Sequence, residues 1–251
     1  MSNAALFSTV AREYANFRPG YPPELFAWLA RVSPSLEAAW DCGCGSGQAS
    51  VALAGHFAVV HATDVAPEQI AAARPHPRVR YSVASAEQSG LPARSVDLVT
   101  VAQALHWFDV SAFFAEAARV ARPGALLAVW TYPRPQFVDA ELDRRFLAFY
   151  SQVVGPYWPP ERRHVESGYR TLPFPRGEVE APEFALELSW NIEQVAGYVS
   201  SWSATARYRQ ALETDPLPLL RESLAAAWPA GGACVPIRMP LVLRVAVLRA
   251  G

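Results

Sequence analysis

Between residues 36 and 131 short apolar runs alternate with helical stretches, and this alternation leaves few folds open to the chain. Strands are expected at Ala38–Cys42, Ala58–Thr63, Val79–Ala84, Val96–Val101 and Ala125–Thr131. Helices are expected between them at Gln48–Leu53, Glu68–Arg74 and Phe113–Ala121. The last helix should stop at Arg122-Pro123-Gly124, because proline cannot extend a helix and glycine readily leaves it. Strands joined through helices run parallel, and near-continuous apolar strands are buried on both faces. The expectation is an α/β domain with helices on both sides of a parallel sheet.

Two more helices are expected ahead of this block, Thr9–Phe17 and Pro23–Val32, separated by Arg18-Pro19-Gly20-Tyr21-Pro22. Beyond residue 131 the regularity breaks. Residues 132–182 are rich in proline, arginine and aromatics, with one expected helix at Ala140–Val153, and read as a lid or substrate-side insertion. A strand at Phe184–Trp190, helices over 193–213 and 217–228, and a closing strand at Met239–Leu248 complete the pattern. No internal repeat or low-complexity tract interrupts it, so residues 1–251 are read as one embellished domain with its core at 36–131.

Composition narrows the chemistry. All 22 basic residues are arginine, which excludes every mechanism that needs a lysine amine, including Schiff bases and lysine-dependent phosphate loops. Arginine still recognises carboxylates and phosphates through its planar fork of donors. A net charge of −1 gives no electrostatic footprint for nucleic acid. No apolar run is long enough to span a membrane, and no charged-then-apolar leader opens the chain. Three cysteines, an odd number, make no disulfide framework. The expectation is a cytoplasmic protein with no nucleic-acid or membrane partner, working as a monomer or weak homodimer.

The strongest local signal is Asp41-Cys42-Gly43-Cys44-Gly45-Ser46-Gly47, which ends the first expected strand and opens the next helix. Glycines there allow a sharp turn and close approach to a ligand, while the helix N-terminus offers backbone N–H groups. Asp64, 19 residues beyond Gly45, ends the second strand, where a carboxylate is placed to take both hydroxyls of a ribose. The dinucleotide fingerprint requires a third glycine five residues after the first, and Gln48 stands there instead. An acid at 41 also repels a pyrophosphate. The loop suits a nucleoside ligand with an ammonium group and no phosphate.

At these residues the chain resembles the class I S-adenosylmethionine-dependent methyltransferases. The resemblance rests on Asp41-x-Gly43-x-Gly45-x-Gly47, Asp64, Ala86-Glu87 followed by Gly90-Leu91-Pro92, Ser95-Val96-Asp97-Leu98-Val99 and Arg122-Pro123-Gly124. A small-molecule subgroup that includes trans-aconitate methyltransferase shares Phe7-x-x-x-Ala11-x-x-Tyr14, Arg18-Pro19-x-Tyr21-Pro22, Gln103 to Phe108, and Tyr198-x-x-Ser201-Trp202-Ser203. The family implies a doubly wound, mostly parallel seven-stranded sheet of the Rossmann-like type, with a partly helical lid inserted at 132–182. It implies S-adenosyl-L-methionine as cofactor, held by Asp41, Gly43, Cys44, Gly45, Ser46, Gly47, Asp64, Val65, Gln69, Ala86, Glu87 and Gln103. Tyr14 and Arg18 are expected to close over it. Ser85 and Gln69 stand where many relatives carry Asp and Met, so adenine recognition departs from the usual pattern.

On the acceptor side the same resemblance implies His106, Trp107 and Tyr21, beside the switch point of the sheet where ligands bind. His106 is the candidate catalytic residue, as a general base, a hydrogen-bond donor or only a pocket residue. An oxygen of a small carboxylate or hydroxyl compound is the expected acceptor, and an anionic one suits the arginines among the aromatics of the insertion. Those are Arg162, Arg163 and Arg170, near Phe146, Tyr150, Tyr157 and Trp158, with Arg207 and Arg209 further on. No metal is expected: the remaining histidines lack ligand spacing and Cys42-x-Cys44 has no second pair. A methyltransferase acting on protein or RNA, and a cofactor-binding regulatory protein, remain the alternatives.

Overall fold

In a computed structural model the described residues are 19–248, and they group into two compact units. One holds Gly20–Pro133, Arg163–Phe184 and the chain from Pro240 onward, and the other holds Arg134–Arg162 and Ala185–Met239. The expected helix Thr9–Phe17, with Tyr14 and Arg18, lies outside the described residues.

The first unit runs α1 (Pro23–Val32), β1 (Ala38–Cys42), α2 (Gln48–Leu53), β2 (Val59–Asp64), α3 (Pro67–Ala71), β3 (Val79–Val83) and β4 (Val96–Ala102). A single helical turn, Leu105–Trp107, then leads to α4 (Val110–Val120) and β5 (Ala121–Thr131). Its sheet has the order β3-β2-β1-β4-β5, all parallel, with β9 (Val235–Val247) antiparallel to β5 through Val242–Val247. The order reverses between β1 and β4, so this is a doubly wound sheet with its switch point there. Among the described residues there are nine strands, of which seven have five residues or more, and β6 (Gln136–Phe137) and β7 (Glu178–Val179) are two-residue additions pairing with β9.

Every residue of β1 is buried, and so are Val96–Val101 of β4, as strands covered on both faces require. Trp40, Val99, Val101, Phe113, Val120, Leu127 and Val129 form the core on the α4 side of the sheet. The central pair is tied by side chains as well as by the ladder. Asp97, 1% exposed, accepts from the backbone N–H groups of Glu37 and Ala38 at 3.1 and 2.9 Å. Arg122 Nη1 donates to both Asp97 oxygens at 3.0 Å, fixing the start of β5 on the same carboxylate. Trp40 Nε1 donates to Thr63 Oγ1 at 2.9 Å, joining β1 to β2.

The second unit contains α5 (Ala140–Ala148), β8 (Phe184–Trp190), α7 (Ile192–Ser200), α8 (Ser203–Leu212) and α9 (Leu217–Ala225). The short helix α6 (Arg162–Glu166) begins at its boundary. A cluster of rings fills this unit: Trp202 lies 5.3 to 5.9 Å from Phe146, Tyr150, Trp158 and Tyr198.

Several boundaries differ from the sequence expectation. The helix expected over 193–213 is two, because Trp202 is extended and Thr205 Oγ1 donates to Val199 O at 2.7 Å across the break. The helix expected at Ala140–Val153 widens into a π-turn at Phe149–Val153, with Val154 N–H reaching back to Phe149 O. The helix α4 starts at Val110 rather than Phe113, since Asp109 caps Ser111 and Ala112 N–H at 3.1 Å each. The strand β5 starts at Ala121 and pairs irregularly before Leu126, with Gly124 at φ 81.

Replacing Asp97 with Asn removes the charge that Arg122 and the Glu37 and Ala38 N–H groups share. The expected outcome is a folded protein destabilised by about 2–3 kcal/mol, read from urea unfolding of the purified variant.

Candidate active site

The glycine loop is shaped by contacts that leave no room for side chains. A Cβ at Gly43 would stand 2.7 Å from Ala104 Cβ and 3.1 Å from the Phe108 ring. One at Gly47 would collide with the Tyr81 hydroxyl, which donates to Arg74 O at 2.8 Å. Both glycines are in the left-handed region, at φ 67 and φ 83, where a side chain adds strain. The loop is thereby pressed against the turn that follows β4.

Two carboxylates hold it from below and from the side. Asp41 is fully buried, and its oxygens accept from Ser50 Oγ at 2.5 Å and Thr100 Oγ1 at 2.9 Å, joining β1 to α2 and β4. Burial pushes its carboxyl up to about 6, against the lowering effect of the two hydroxyls. Asp64 accepts from Gly45 N–H at 2.8 Å and from Ala66 N–H at 2.9 Å, so it ties the loop to the end of β2. Burial also raises its carboxyl, outweighing the lowering effect of the Ala66 and Gly45 N–H groups. Cys44 N–H donates to Thr63 O at 3.0 Å. Burial, then the charge of Asp41, pushes the thiols of Cys42 and Cys44 up, so both are small protonated side chains in the turn.

Around the loop, Ser46 is buried and its carbonyl accepts from Arg74 N–H. Val65 stands 63% exposed beside Asp64, a large apolar side chain left uncovered at the strand end. Gln69 is buried, and its Oε1 lies 3.7 Å from the Cβ position of Gly45 with no hydrogen-bond donor among the described residues. A buried carbonyl oxygen without a partner is costly. Ala86 is buried in the core, and Glu87 Oε1 accepts from Asp109 N–H at 3.0 Å, at the start of α4.

Gln103 closes β4 in a left-handed conformation at φ 60, a strain of about 1–3 kcal/mol for a residue with a side chain. It is over-determined: Thr131 Oγ1 donates to its Oε1 at 2.6 Å, its Nε2 donates to Tyr132 O at 3.2 Å, and its N–H donates to Trp130 O at 3.0 Å. The resemblance gives Gln103 as a cofactor residue. The structure adds that its side chain anchors the turn. From this turn hangs His106, between Ala104 and Phe108, its Nδ1 3.1 Å from Tyr169 Oη and its ring 4.6 Å from Trp107. Tyr21 packs edge-on against Trp130 with centroids 5.4 Å apart, and also neighbours Phe26 and Tyr132.

The structure thus brings Asp41, Gly43 to Gly47, Asp64, Val65, Gln69, Gln103, His106 and Trp107 to the carboxyl ends of the parallel strands. It adds Ser50, Thr100 and Tyr169, which sequence reasoning missed. Thr100 and Tyr169 act on residues distant in the chain and Ser50 acts across the glycine loop, so no local spacing announces them. In the other unit Arg162 Nε donates to Tyr150 Oη at 3.1 Å and its guanidinium lies 4.3 Å over Trp158. Arg163 and Arg170 are exposed, and Arg209 pairs with Asp215. Among the described residues no three His, Cys, Asp or Glu side chains gather as a metal site would require.

Comparison with known proteins agrees with this geometry. The family described as "Methyltransferase domain" matches residues 40–129. A Dictyostelium discoideum protein carrying a methyltransferase name is 34% identical over 226 residues, 88% of this chain and 86% of its own. A methyltransferase of Aspergillus candidus is 28% identical over 77% of this chain and 69% of its own. A solved Anaeromyxobacter dehalogenans structure, described as a type II methyltransferase, is 46% identical and superposes with a TM-score of 0.87 over 94% of this chain and 100% of its own.

Asp41 gives the site a pH signature. An unfolded aspartate titrates near 3.8 and this one near 6, so the folded state binds more protons between those values. Stability is therefore gained as pH falls through about 6 and lost as pH rises through it, by up to about 3 kcal/mol. Urea unfolding of the ligand-free protein over that range is expected to show the slope, and Asp41→Asn to reduce it, leaving the smaller part that Asp64 contributes.

Proposed function

The chain belongs to the class I S-adenosylmethionine-dependent methyltransferases, and from that membership we propose that it methylates an oxygen of a small organic acceptor, a carboxylate or hydroxyl compound. The observation that carries the acceptor reading is the turn after β4. Ala104 and Phe108 occupy the space beside Gly43, and His106 and Trp107 belong to the same turn, which supports an acceptor-side role for them. An imidazole and an indole face suit a small flat acceptor. A nucleic-acid substrate calls for cations along its phosphates, and this turn carries none.

The residues present fit the cofactor. Gln69 Oε1, buried and without a donor among the described residues, would answer a hydroxyl or amine of the nucleoside, and it faces Gly45, the one loop glycine with no side chain crowded against it. Asp64 would hold the ribose hydroxyls, Val65 would lie against the adenine, and Asp41 would bias the loop toward the ammonium. Ala86 and Glu87 would border the adenine edge. Bound S-adenosylmethionine supplies a methyl carbon made electrophilic by its sulfonium.

The protein's own task is then orientation. Holding an acceptor oxygen in line contributes about 7–11 kcal/mol of barrier reduction when the geometry is right. His106 and Trp107 would position the acceptor, and Tyr21 with its aromatic neighbours would keep water away. A carboxylate is ionised at neutral pH and needs no base, whereas a phenol does.

Calorimetry with S-adenosylmethionine, followed by a mass-spectrometric screen of small organic acids and phenols, tests this reading. The expected result is cofactor binding and a methylated product from at least one acid or phenol. Cofactor binding with no product across the panel, together with methylation of a protein or RNA, would overturn it.

A further inference from the structure

We propose that Ser50 and Thr100 are positioning residues for the cofactor's ammonium: together they hold Asp41 as a carboxylate, and the ammonium is drawn by that buried charge acting across the glycine loop. The proposal rests on the reading of the loop as the S-adenosylmethionine site, and it adds two hydroxyls carried by α2 and β4 to that site.

Asp41 has no exposed surface, so a ligand in the loop meets its charge and not its oxygens. Oδ2 accepts from Ser50 Oγ at 2.5 Å and Oδ1 from Thr100 Oγ1 at 2.9 Å. Both hydroxyl residues are themselves fully buried, so bulk water does not stand in for either. Thr100 Oγ1 also lies 3.5 Å from Trp40 O, and its one proton goes to the nearer, charged acceptor. The titratable groups that face Asp41 are acids, thiols and a phenol: Asp64 at the end of β2, Cys42 on β1, Cys44 in the loop and Tyr81 on β3. The helix α2 carries no charged side chain, and the one acid of β4, Asp97, is taken by Arg122.

Two opposing effects decide the charge on this side chain. Burial, with the Asp64 charge adding to it, pushes the Asp41 carboxyl up to about 6, and the Ser50 and Thr100 hydroxyls pull it down. Each hydroxyl has one proton to donate and so favours the ionised form; with one removed, the neutral form gains. At neutral pH the two together leave an anion on which no arginine or histidine chiefly acts. A ligand ammonium is a counter-ion for it. Binding that uses the anion weakens as pH falls through the value at which the free protein takes up the proton. Cofactor affinity therefore carries the titration of Asp41, at a pH that the two hydroxyls set.

The test is calorimetric titration of S-adenosylmethionine and of adenosine into the full chain over the acid range. Adenosine keeps the adenine and the ribose and lacks the ammonium, so it reports Asp64 without Asp41. Wild-type affinity for S-adenosylmethionine is expected to hold down to about 6 and then fall about tenfold per pH unit. Ser50→Ala and Thr100→Val are each expected to move that break up by about one unit, and Thr100→Ser, which keeps the hydroxyl, to leave it in place. Adenosine is expected to show no such move. The cofactor's own ammonium, titrating at about 7.7–8.0, limits affinity at the alkaline end in every variant alike. Carbon-13 NMR of the carboxyl groups in the ligand-free protein, with Asp41→Asn to assign the signal, is expected to show the same upward move. A break that stays in place, weakening by one factor at every pH, or an equal move with adenosine would overturn the proposal. A folded wild type that binds neither ligand would overturn the cofactor reading, and the proposal falls with it.

Discussion

The site depends on one buried carboxylate. Asp41 sits at the end of β1 with hydroxyls from α2 and β4 on its two oxygens, so three elements converge on it before the glycine loop begins. A charge with no solvent contact is costly unless its oxygens are satisfied, and here Ser50 and Thr100 satisfy them. The bonds that stabilise the carboxylate therefore also set the loop's point of departure. Asp64 completes the arrangement by holding Gly45 N–H from the neighbouring strand.

Much of this was legible in the chain. The strand–helix alternation over 36–131 gives the parallel order, and β1, α1 and α2 fall where the pattern puts them. Asp41, the three glycines and Asp64 are readable because their chemistry is local: a turn at a strand end and an acid at the next one. What escaped depends on distance. Ser50 and Thr100 act on Asp41 from other elements, and Tyr169 meets His106 across 63 positions of sequence. The break at Trp202 escaped as well, since Thr205 reaching back to Val199 competes with a helix that apolar spacing alone would continue.

The all-arginine composition gains a physical reading from the ion pairs. Arg122 closes on Asp97 at the sheet's start, and Arg244 holds the Tyr169 segment through Glu178. Arg244 engages its carboxylate through two nitrogens, which a lysine ammonium does not reproduce in a fixed plane. Arginine here serves as structural fastening, and the glycine loop is bordered by the carboxylates of Asp41 and Asp64.

The central claim is that the loop and its two acids form the cofactor site. Calorimetric titration of S-adenosylmethionine into wild type and Asp64→Ala tests it most directly, with circular dichroism to show both folded. The account predicts at least about tenfold weaker binding in the variant, or roughly 1.4 kcal/mol. Equal affinity in the two folded proteins would contradict it.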